Sequence, residues 1–239
     1  MNNTLLLAFL LFSVNSFASY AKTDPEMLES QKCSNIFSYF EKRHKIPKDT
    51  LYSISLQETQ KPHSKHRLGL TWPWAVTVNP SGKGYHFKNK TEAIKFAKAQ
   101  LASGKGSIDV GCMQINLKYH PDAFTSVEQA FSPRRNLAYG AKFLKEKYEQ
   151  HGDWQKAIGA YHSGSADRAS AYHARVRQIS DSMHIYKKKL ADLSSYKYKT
   201  TKIATSAKNS KEKEKFLGIG KVQVRVGTLK DNNWFRKVQ

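Results

Sequence analysis

The chain has 239 residues, of which 39% are hydrophobic, so it can build a folded core and has room for no more than two domains. Lys and Arg outnumber Asp and Glu by 40 to 19, which gives a formal net charge of +21. A field of this sign favours a polyanionic partner, such as nucleic acid, an anionic membrane surface or an acidic polymer.

The N-terminus carries the pattern of a secretory signal peptide. An apolar run at Leu5–Phe12 is followed by small residues at Ser16, Ala18 and Ala21, as at a cleavage site. The run is too short to span a bilayer securely, although a retained anchor or a buried N-terminal helix is the alternative. We expect residues 1–21 to be a signal peptide and the protein to be exported to the periplasm or cell envelope. Nucleic acid is then not an expected partner.

Two cysteines, Cys33 and Cys112, are present in the chain. In an oxidising compartment such an even pair favours a disulfide, and the alternative is two separate buried thiols. The nine histidines are scattered, and His63 and His66 have no cysteine at the spacing of a zinc site. The sequence therefore predicts neither a metal site nor a cofactor.

The first predicted elements are two helices. Apolar residues recur at helical spacing over Asp24–Lys45, and Pro47 marks the start of a second helix over about Lys48–Glu58. On one face of the second helix, Glu58 continues an apolar stripe that begins at Leu51. Burial and the negative end of the helix dipole both raise the pKa of a carboxyl there, which suits a general acid. The alternative is a surface Glu that ends the helix.

The central part of the chain predicts strands. Aromatic and β-branched runs at residues 71–78 and 85–87 flank a Gly- and Pro-rich turn, which indicates a hairpin after a polar loop at 60–67. A helix with Thr91 as its N-cap follows. Further on, Gln114 and Asn116 alternate, so a strand would point both amides to one side. Amides suit sugar hydroxyls and N-acetyl groups because each amide offers a donor and an acceptor. The alternative to a sugar-binding strand is an ordinary edge strand with its polar residues facing solvent.

The last third of the chain predicts helices and then a tail. Ser132 and Pro133 open the clearest helix, Gly152 ends it, and Asp153 caps the next one. Apolar spacing predicts one or two further helices over Ala169–Ala191. Residues 195–239 are rich in Lys, Ser and Thr and poor in large aliphatic residues, which indicates a basic, largely disordered tail.

Three short motifs follow one another along the chain: LQE at residues 56–58, VGCMQIN at 110–116 and AYHSG at 160–164. In this order they resemble the lytic transglycosylases of the lysozyme-like superfamily, and the likeness covers about Cys33–Ile185. The resemblance implies an α+β, predominantly α-helical lysozyme-like domain at residues 22–194 with a small β-hairpin insert.

The resemblance also implies roles for single residues. Glu58 is the acid/base for cleavage of the β-1,4 bond between N-acetylmuramic acid and N-acetylglucosamine. Met113 and Gln114 line the glycan cleft with Asn116 as a further substrate-binding amide, and Tyr161 supports the glutamate or the sugar. The C6 hydroxyl of muramic acid closes on C1, so the product is a 1,6-anhydro sugar. The implied partners are peptidoglycan glycan strands, with an anionic membrane surface or a secretion or motility machine as further candidates.

The chain departs from the family pattern at four positions. Thr59 stands where Ser is usual and keeps a hydroxyl, and Cys112 stands where Leu is common. His162 and Ser163 replace the usual Asn and Ala. The exchange at His162 alters the sugar contacts implied by the family, and the sequence assigns this histidine no role.

Two other functions are compatible with the same residues. A hydrolytic muramidase would use Glu58 with Asp109 as a second carboxylate, since retaining glycosidases hold such a pair about 5 Å apart. Asp109 would otherwise make a structural turn bond. A non-catalytic protein that binds the cell wall or an anionic surface would use the fold as a scaffold and the basic tail as its grip.

The basic tail generates a first prediction. Deleting residues 195–239 should weaken binding to isolated cell walls at low salt, because the tail attracts acidic polymers through screened charge interactions. Sedimentation with cell walls across a salt series measures this. The difference between the full chain and the truncated chain should shrink as salt rises, and an equal affinity at low salt would contradict the prediction.

Overall fold

The computed structural model describes residues 24–79, 81–104 and 107–193 of the chain. Residues 24–190 belong to one compact unit. The predicted signal peptide at 1–21 and the predicted tail at 195–239 lie outside the described residues. Among the described helices, none has the length and apolar composition needed to span a bilayer.

The N-terminal segment forms two helices, α1 (Pro25–Ser34) and α2 (Phe37–His44). The prediction of one helix over Asp24–Lys45 is therefore wrong. The chain turns at Asn35, whose backbone N–H bonds back to the last turn of α1, and α2 starts two residues later. Apolar residues of both helices face the core, so the spacing of the apolar residues along the sequence resembles that of one continuous helix.

Helix α3 (Thr50–Thr59) lies in the centre of the core. It confirms the predicted helix at 48–58 with a start two residues later, because Asp49 takes a left-handed conformation with φ of 66°. The buried carboxylate of Glu41 on α2 closes the N-terminus of α3. It accepts hydrogen bonds from the backbone N–H of Leu51 at 2.9 Å and of Asp49 at 3.1 Å.

The strands form two antiparallel sheets. The first sheet pairs β1 (Lys61–Pro62) with β2 (Gly69–Leu70), inside and beside the predicted loop. The second has the order β4-β3-β5-β6. Its strands are β3 (Ala75–Val78), β4 (Lys83–His86), β5 (Ile108–Val110) and β6 (Ile115–Asn116). The predicted hairpin is thus present as β3 and β4, but it forms one edge of a four-stranded sheet that contains Asp109.

Helix α4 (Lys90–Ala102) follows the hairpin. Its N-cap is Asn89, whose side chain accepts a hydrogen bond from the backbone N–H of Glu92, so the prediction of Thr91 as N-cap is wrong. Asn and Thr are both good caps, and the structure places the first helical turn two residues earlier than the apolar stripe indicated. A 3-10 turn at Pro121–Ala123 and helix α5 (Val127–Ala130) then lead to the C-terminal helices.

The C-terminal helices are α6 (Pro133–His151), α7 (Trp154–His162) and α8 (Ala166–Asp181), and residues 183–193 are also helical. The three named helices pack in series, with α8 against α3, α7 against α8 and α6 against α7. Gly152 ends α6 with a positive φ of 67°, and Asp153 caps α7, both as predicted. The α+β, predominantly helical fold class is confirmed.

The structure joins Cys33 of α1 to Cys112 in a disulfide, across 79 positions of sequence. Both cysteines are fully buried. Cys112 lies in the turn between β5 and β6, so the bond ties the N-terminal helix to the segment that carries the GCMQ residues. A crosslink over so long a loop removes much conformational freedom from the unfolded chain.

The disulfide generates a second prediction. Changing Cys33→Ser and Cys112→Ser together should lower the free energy of unfolding by about 4 kcal/mol, from the loop-entropy relation for a long crosslinked loop. Urea unfolding without reductant measures the difference. A thiol reductant should destabilise the unchanged protein and leave the double variant unaffected. Equal unfolding midpoints for the two proteins would contradict the prediction.

Candidate active site

Glu58 lies on the last turn of α3, where the helix ends against α8. Its side chain retains partial access to solvent, as a group that reacts in a cleft requires. The hydroxyl of Tyr172, on α8, donates a hydrogen bond of 2.5 Å to Glu58 Oε1. Tyr172 itself is almost fully buried. The carboxyl is therefore held from one side by a donor that comes from the protein core.

Burial raises the pKa of Glu58 to about 7, and the nearby charge of Asp109 raises it as well. The hydrogen bond from Tyr172 and the positive charge of Arg175 act in the opposite direction, because both favour the carboxylate. Both protonation states of Glu58 are consequently populated near neutral pH. This property lets one carboxyl give and take a proton in the same reaction.

The turn between β5 and β6 packs beside Glu58 and is held by α6. Gly111 has a φ of 81°, and a Cβ there would lie 2.5 Å from Asn136 Nδ2, so only glycine fits. Asn136 accepts a hydrogen bond from the backbone N–H of Met113 at 2.8 Å and donates to the carbonyl of Val110 at 2.9 Å. The buried amide of Asn136 thus fixes both ends of the turn, a function that the sequence did not indicate.

Two further hydrogen bonds attach the same turn to the helices around it. Ser55 on α3 donates to the carbonyl of Cys112 at 2.7 Å, from the helix that carries Glu58. Tyr161 on α7 donates to the carbonyl of Met113 at 2.8 Å. The Tyr161 hydroxyl thus supports the turn, and the predicted support of the glutamate or the sugar by Tyr161 stays a prediction. The side chain of Met113 is fully buried, so it packs in the core and does not line a cleft.

The prediction that Gln114 and Asn116 alternate along one strand is wrong. Gln114 lies in the turn with a left-handed φ of 45°, and only Asn116 lies on β6. The Gln114 amide donates to the carbonyls of Ala75 and Gly111, and its oxygen accepts from Thr77 at 2.7 Å. These bonds give the amide a structural role, and contact of either amide with a substrate stays a prediction.

Asp109, the candidate second carboxylate, lies on β5 between two amides. Its Oδ2 accepts from Asn79 Nδ2 at 2.8 Å, and its Oδ1 accepts from Asn116 Nδ2 at 2.6 Å. Burial raises the pKa of Asp109, and these two hydrogen bonds oppose that shift. Both of its oxygens are therefore bonded within the sheet.

Tyr172 is the site residue that sequence reasoning missed. It recurs at helical spacing with Val176 and Ile179, so it was interpreted as a core residue of its helix. The structure shows that the ring is indeed buried and that the hydroxyl reaches Glu58. A buried tyrosine needs a partner for its O–H, and this requirement was the one available signal.

One cluster of the described residues is compact enough to share a cation, formed by Asp24, Glu26 and His63. The ammonium of Lys61 lies 2.6 Å from the Glu26 carboxylate. The backbone N–H of Lys65 donates to His63 Nδ1 at 3.0 Å, so the neutral ring carries its proton on Nε2, which faces Asp24 Oδ2 at 3.5 Å. The cluster therefore fits an ion-paired link between α1 and the following loop better than a metal site.

The contact between Tyr172 and Glu58 generates a third prediction. Tyr172→Phe should raise the pKa of Glu58 further above 7, by about one unit, because it removes a hydrogen bond that stabilises the carboxylate. A 13C NMR titration of the labelled carboxyl measures this. Tyr161→Phe is the matched control, since that hydroxyl binds a carbonyl of the turn. The same titration curve in both variants would contradict the prediction.

Comparison with known proteins agrees with this geometry. The family model described as "Transglycosylase SLT domain" matches residues 35–184. Proteins named "Protein virB1" from Rhizobium radiobacter and from Agrobacterium tumefaciens (strain 15955) are 28% identical over 120 residues, which cover 46% of this chain and 50% of theirs. The protein of that name from Agrobacterium fabrum (strain C58) is 28% identical over 99 residues, or 38% of this chain and 40% of its own.

The chain thus spans about half the length of the curated relatives that it matches. No solved structure matches it. The match to the family model includes Glu58, the turn at 111–114, Tyr161 and Tyr172, and it extends over more than half of the chain. The chain therefore belongs to the transglycosylase SLT domain family, which confirms the resemblance drawn from the three motifs.

Proposed function

We propose that this protein is a peptidoglycan lytic transglycosylase that uses Glu58 as its acid/base. The bond cleaved is the β-1,4 linkage between N-acetylmuramic acid and N-acetylglucosamine, and the product ends in 1,6-anhydro-muramic acid. The observation that carries the proposal is the half-buried Glu58 carboxyl with a pKa of about 7, held by Tyr172 within a domain of this family.

In the first step, protonated Glu58 gives its proton to the glycosidic oxygen. The bond between that oxygen and C1 of muramic acid breaks, and positive charge develops on the sugar ring. The Glu58 carboxylate that results lies beside this charge and accepts the hydrogen bond from Tyr172, which stabilises it. The leaving sugar departs with a free hydroxyl.

In the second step, the same carboxylate acts as a base. It takes the proton of the muramic acid C6 hydroxyl while that oxygen bonds to C1 and closes the anhydro ring. Glu58 is protonated again at the end, so the cycle needs neither water nor a second carboxylate. A carboxyl whose pKa lies near the working pH suits both halves of this cycle.

Hydrolysis by a muramidase is the second candidate function. The observation in its favour is that the charge of Asp109 lies near enough to raise the pKa of Glu58. The surroundings of Asp109 favour the lytic reaction. Two amides bond to its oxygens, so it links β5 to Asn79 and to β6, a role that the lytic reaction leaves intact. A non-catalytic binding protein, the third candidate, has no use for a buried carboxyl held by a donor.

The proposed location is the periplasm or cell envelope, with peptidoglycan glycan strands as the substrate. The predicted signal peptide supports it, and so does the disulfide, since such bonds persist in oxidising compartments. An anionic membrane surface or a secretion or motility machine is the further partner proposed, on the basis of the net charge of +21.

Mass spectrometry of digested peptidoglycan tests the proposal and forms the fourth prediction. The unchanged protein should release 1,6-anhydro-muramic acid products, and Glu58→Gln should abolish release while the protein stays folded by circular dichroism. Asp109→Asn, which keeps one of the two acceptor oxygens, should retain the anhydro products, at a rate lowered by about tenfold or less. Activity should decline as pH rises through about 7, because the acid form of Glu58 is lost.

Each alternative has its own result in the same assay. Reducing-end muramic acid as the main product would identify a hydrolase, and loss of all activity in Asp109→Asn would make Asp109 its second carboxylate. Undiminished release by Glu58→Gln would remove Glu58 from the mechanism. Wall binding without any soluble product would indicate a binding protein.

A further inference from the structure

His162 is the last residue of α7 and lies against the ring of Tyr172 on α8. The two rings are parallel, with an angle of 3° between their planes and 4.5 Å between their centroids. Tyr172 is almost fully buried, whereas His162 is exposed to solvent. The imidazole thus covers one face of the phenol ring.

The same phenol makes the hydrogen bond to Glu58. The stacked imidazole, the tyrosine ring and the carboxyl therefore form one continuous series of contacts from the surface to the site. A hydroxyl donor is effective only while its O–H points at the acceptor, and a ring packed on one face has less freedom to tilt away. The stack also keeps water from the side of the ring that His162 covers.

We propose that His162 is a positioning residue, whose ring holds Tyr172 in place so that the phenol hydroxyl remains bonded to Glu58. The inference rests on the proposed function of Glu58 as acid/base and adds a residue that acts on it through Tyr172.

The charged groups around the stack define how it depends on pH. Arg175 and Arg168 of α8 act on His162, and Arg175 and Asp109 act on Glu58 at the other end of the series. Burial lowers the pKa of His162, and the two arginines lower it further, so the ring is neutral near pH 7. At this pH the histidine acts through its flat ring and not through a charge.

The direction of the expected effect follows from the role of Tyr172. Its hydrogen bond stabilises the Glu58 carboxylate and lowers its pKa, so loosening the phenol should raise that pKa. The alkaline limb of the pH profile should then move to higher pH. The rate at the optimum should fall, because the carboxyl is less well placed, while the affinity for substrate should change little.

Two variants at this position separate the ring from the nitrogen atoms. His162→Ala removes the stack, and His162→Phe keeps a flat ring without a titrating group. In a 13C NMR titration, His162→Ala should raise the pKa of Glu58 by about 0.5 to 1 unit and lower kcat about fivefold, with KM nearly constant. His162→Phe should recover most of both properties above pH 7.

A double variant tests whether the effect passes through Tyr172. Once Tyr172→Phe has removed the hydroxyl, adding His162→Ala should produce no further shift in the pKa of Glu58. Thermal unfolding of each variant identifies any general loss of structure, and the titration is interpreted only at temperatures where all variants are folded.

Three results would overturn the inference. The first is an unchanged Glu58 titration in His162→Ala, and the second is His162→Phe behaving as His162→Ala, which would assign the effect to an imidazole nitrogen. The third is a change in KM alone, which would make His162 a sugar contact. Failure of the proposed function has a different signature, since the NMR titration needs no turnover. Activity in Glu58→Gln would reject the acid/base role and leave the titration result standing.

Discussion

The structure depends on keeping a carboxyl group partly out of water at the end of a core helix. Glu58 continues the buried face of α3, so the anion loses hydration, and the fold must compensate for this. Compensation comes from Tyr172, 114 positions further along the chain, and from the positive charge of Arg175 on the same helix. These two groups offset only part of the lost hydration of the carboxylate, so the pKa of Glu58 stays raised.

The turn at residues 111–114 illustrates how the rest of the domain serves this site. It is anchored to α3 by Ser55, to α6 by Asn136, to α7 by Tyr161 and to α1 by the disulfide of Cys112. Elements from the beginning, middle and end of the domain thus meet at two successive residues, Cys112 and Met113. Such convergence reduces the freedom of the wall of the site and keeps Glu58 and its neighbours in one arrangement.

The polar side chains near the site are bonded mainly to other groups of the protein. The amides that resembled sugar-binding groups bond to the backbone, to Thr77 and to Asp109. A buried amide or carboxylate without a partner costs free energy, so the sheet satisfies these groups internally. Asp109 likewise accepts one hydrogen bond on each oxygen, from Asn79 and from Asn116, so it links β5 to its neighbours in the sheet.

The sequence by itself determined the features that depend on local pattern. The apolar stripe of α3 placed Glu58 on a buried face, Gly152 and Asp153 marked the boundary of two helices, and alternating runs around a Gly-rich turn indicated the hairpin. Only the tertiary structure decided that α1 and α2 are separate and that Gln114 lies in a turn. It alone decided that Tyr172 and not Tyr161 contacts Glu58. Each of these depends on contacts between segments far apart in sequence, which no local periodicity encodes.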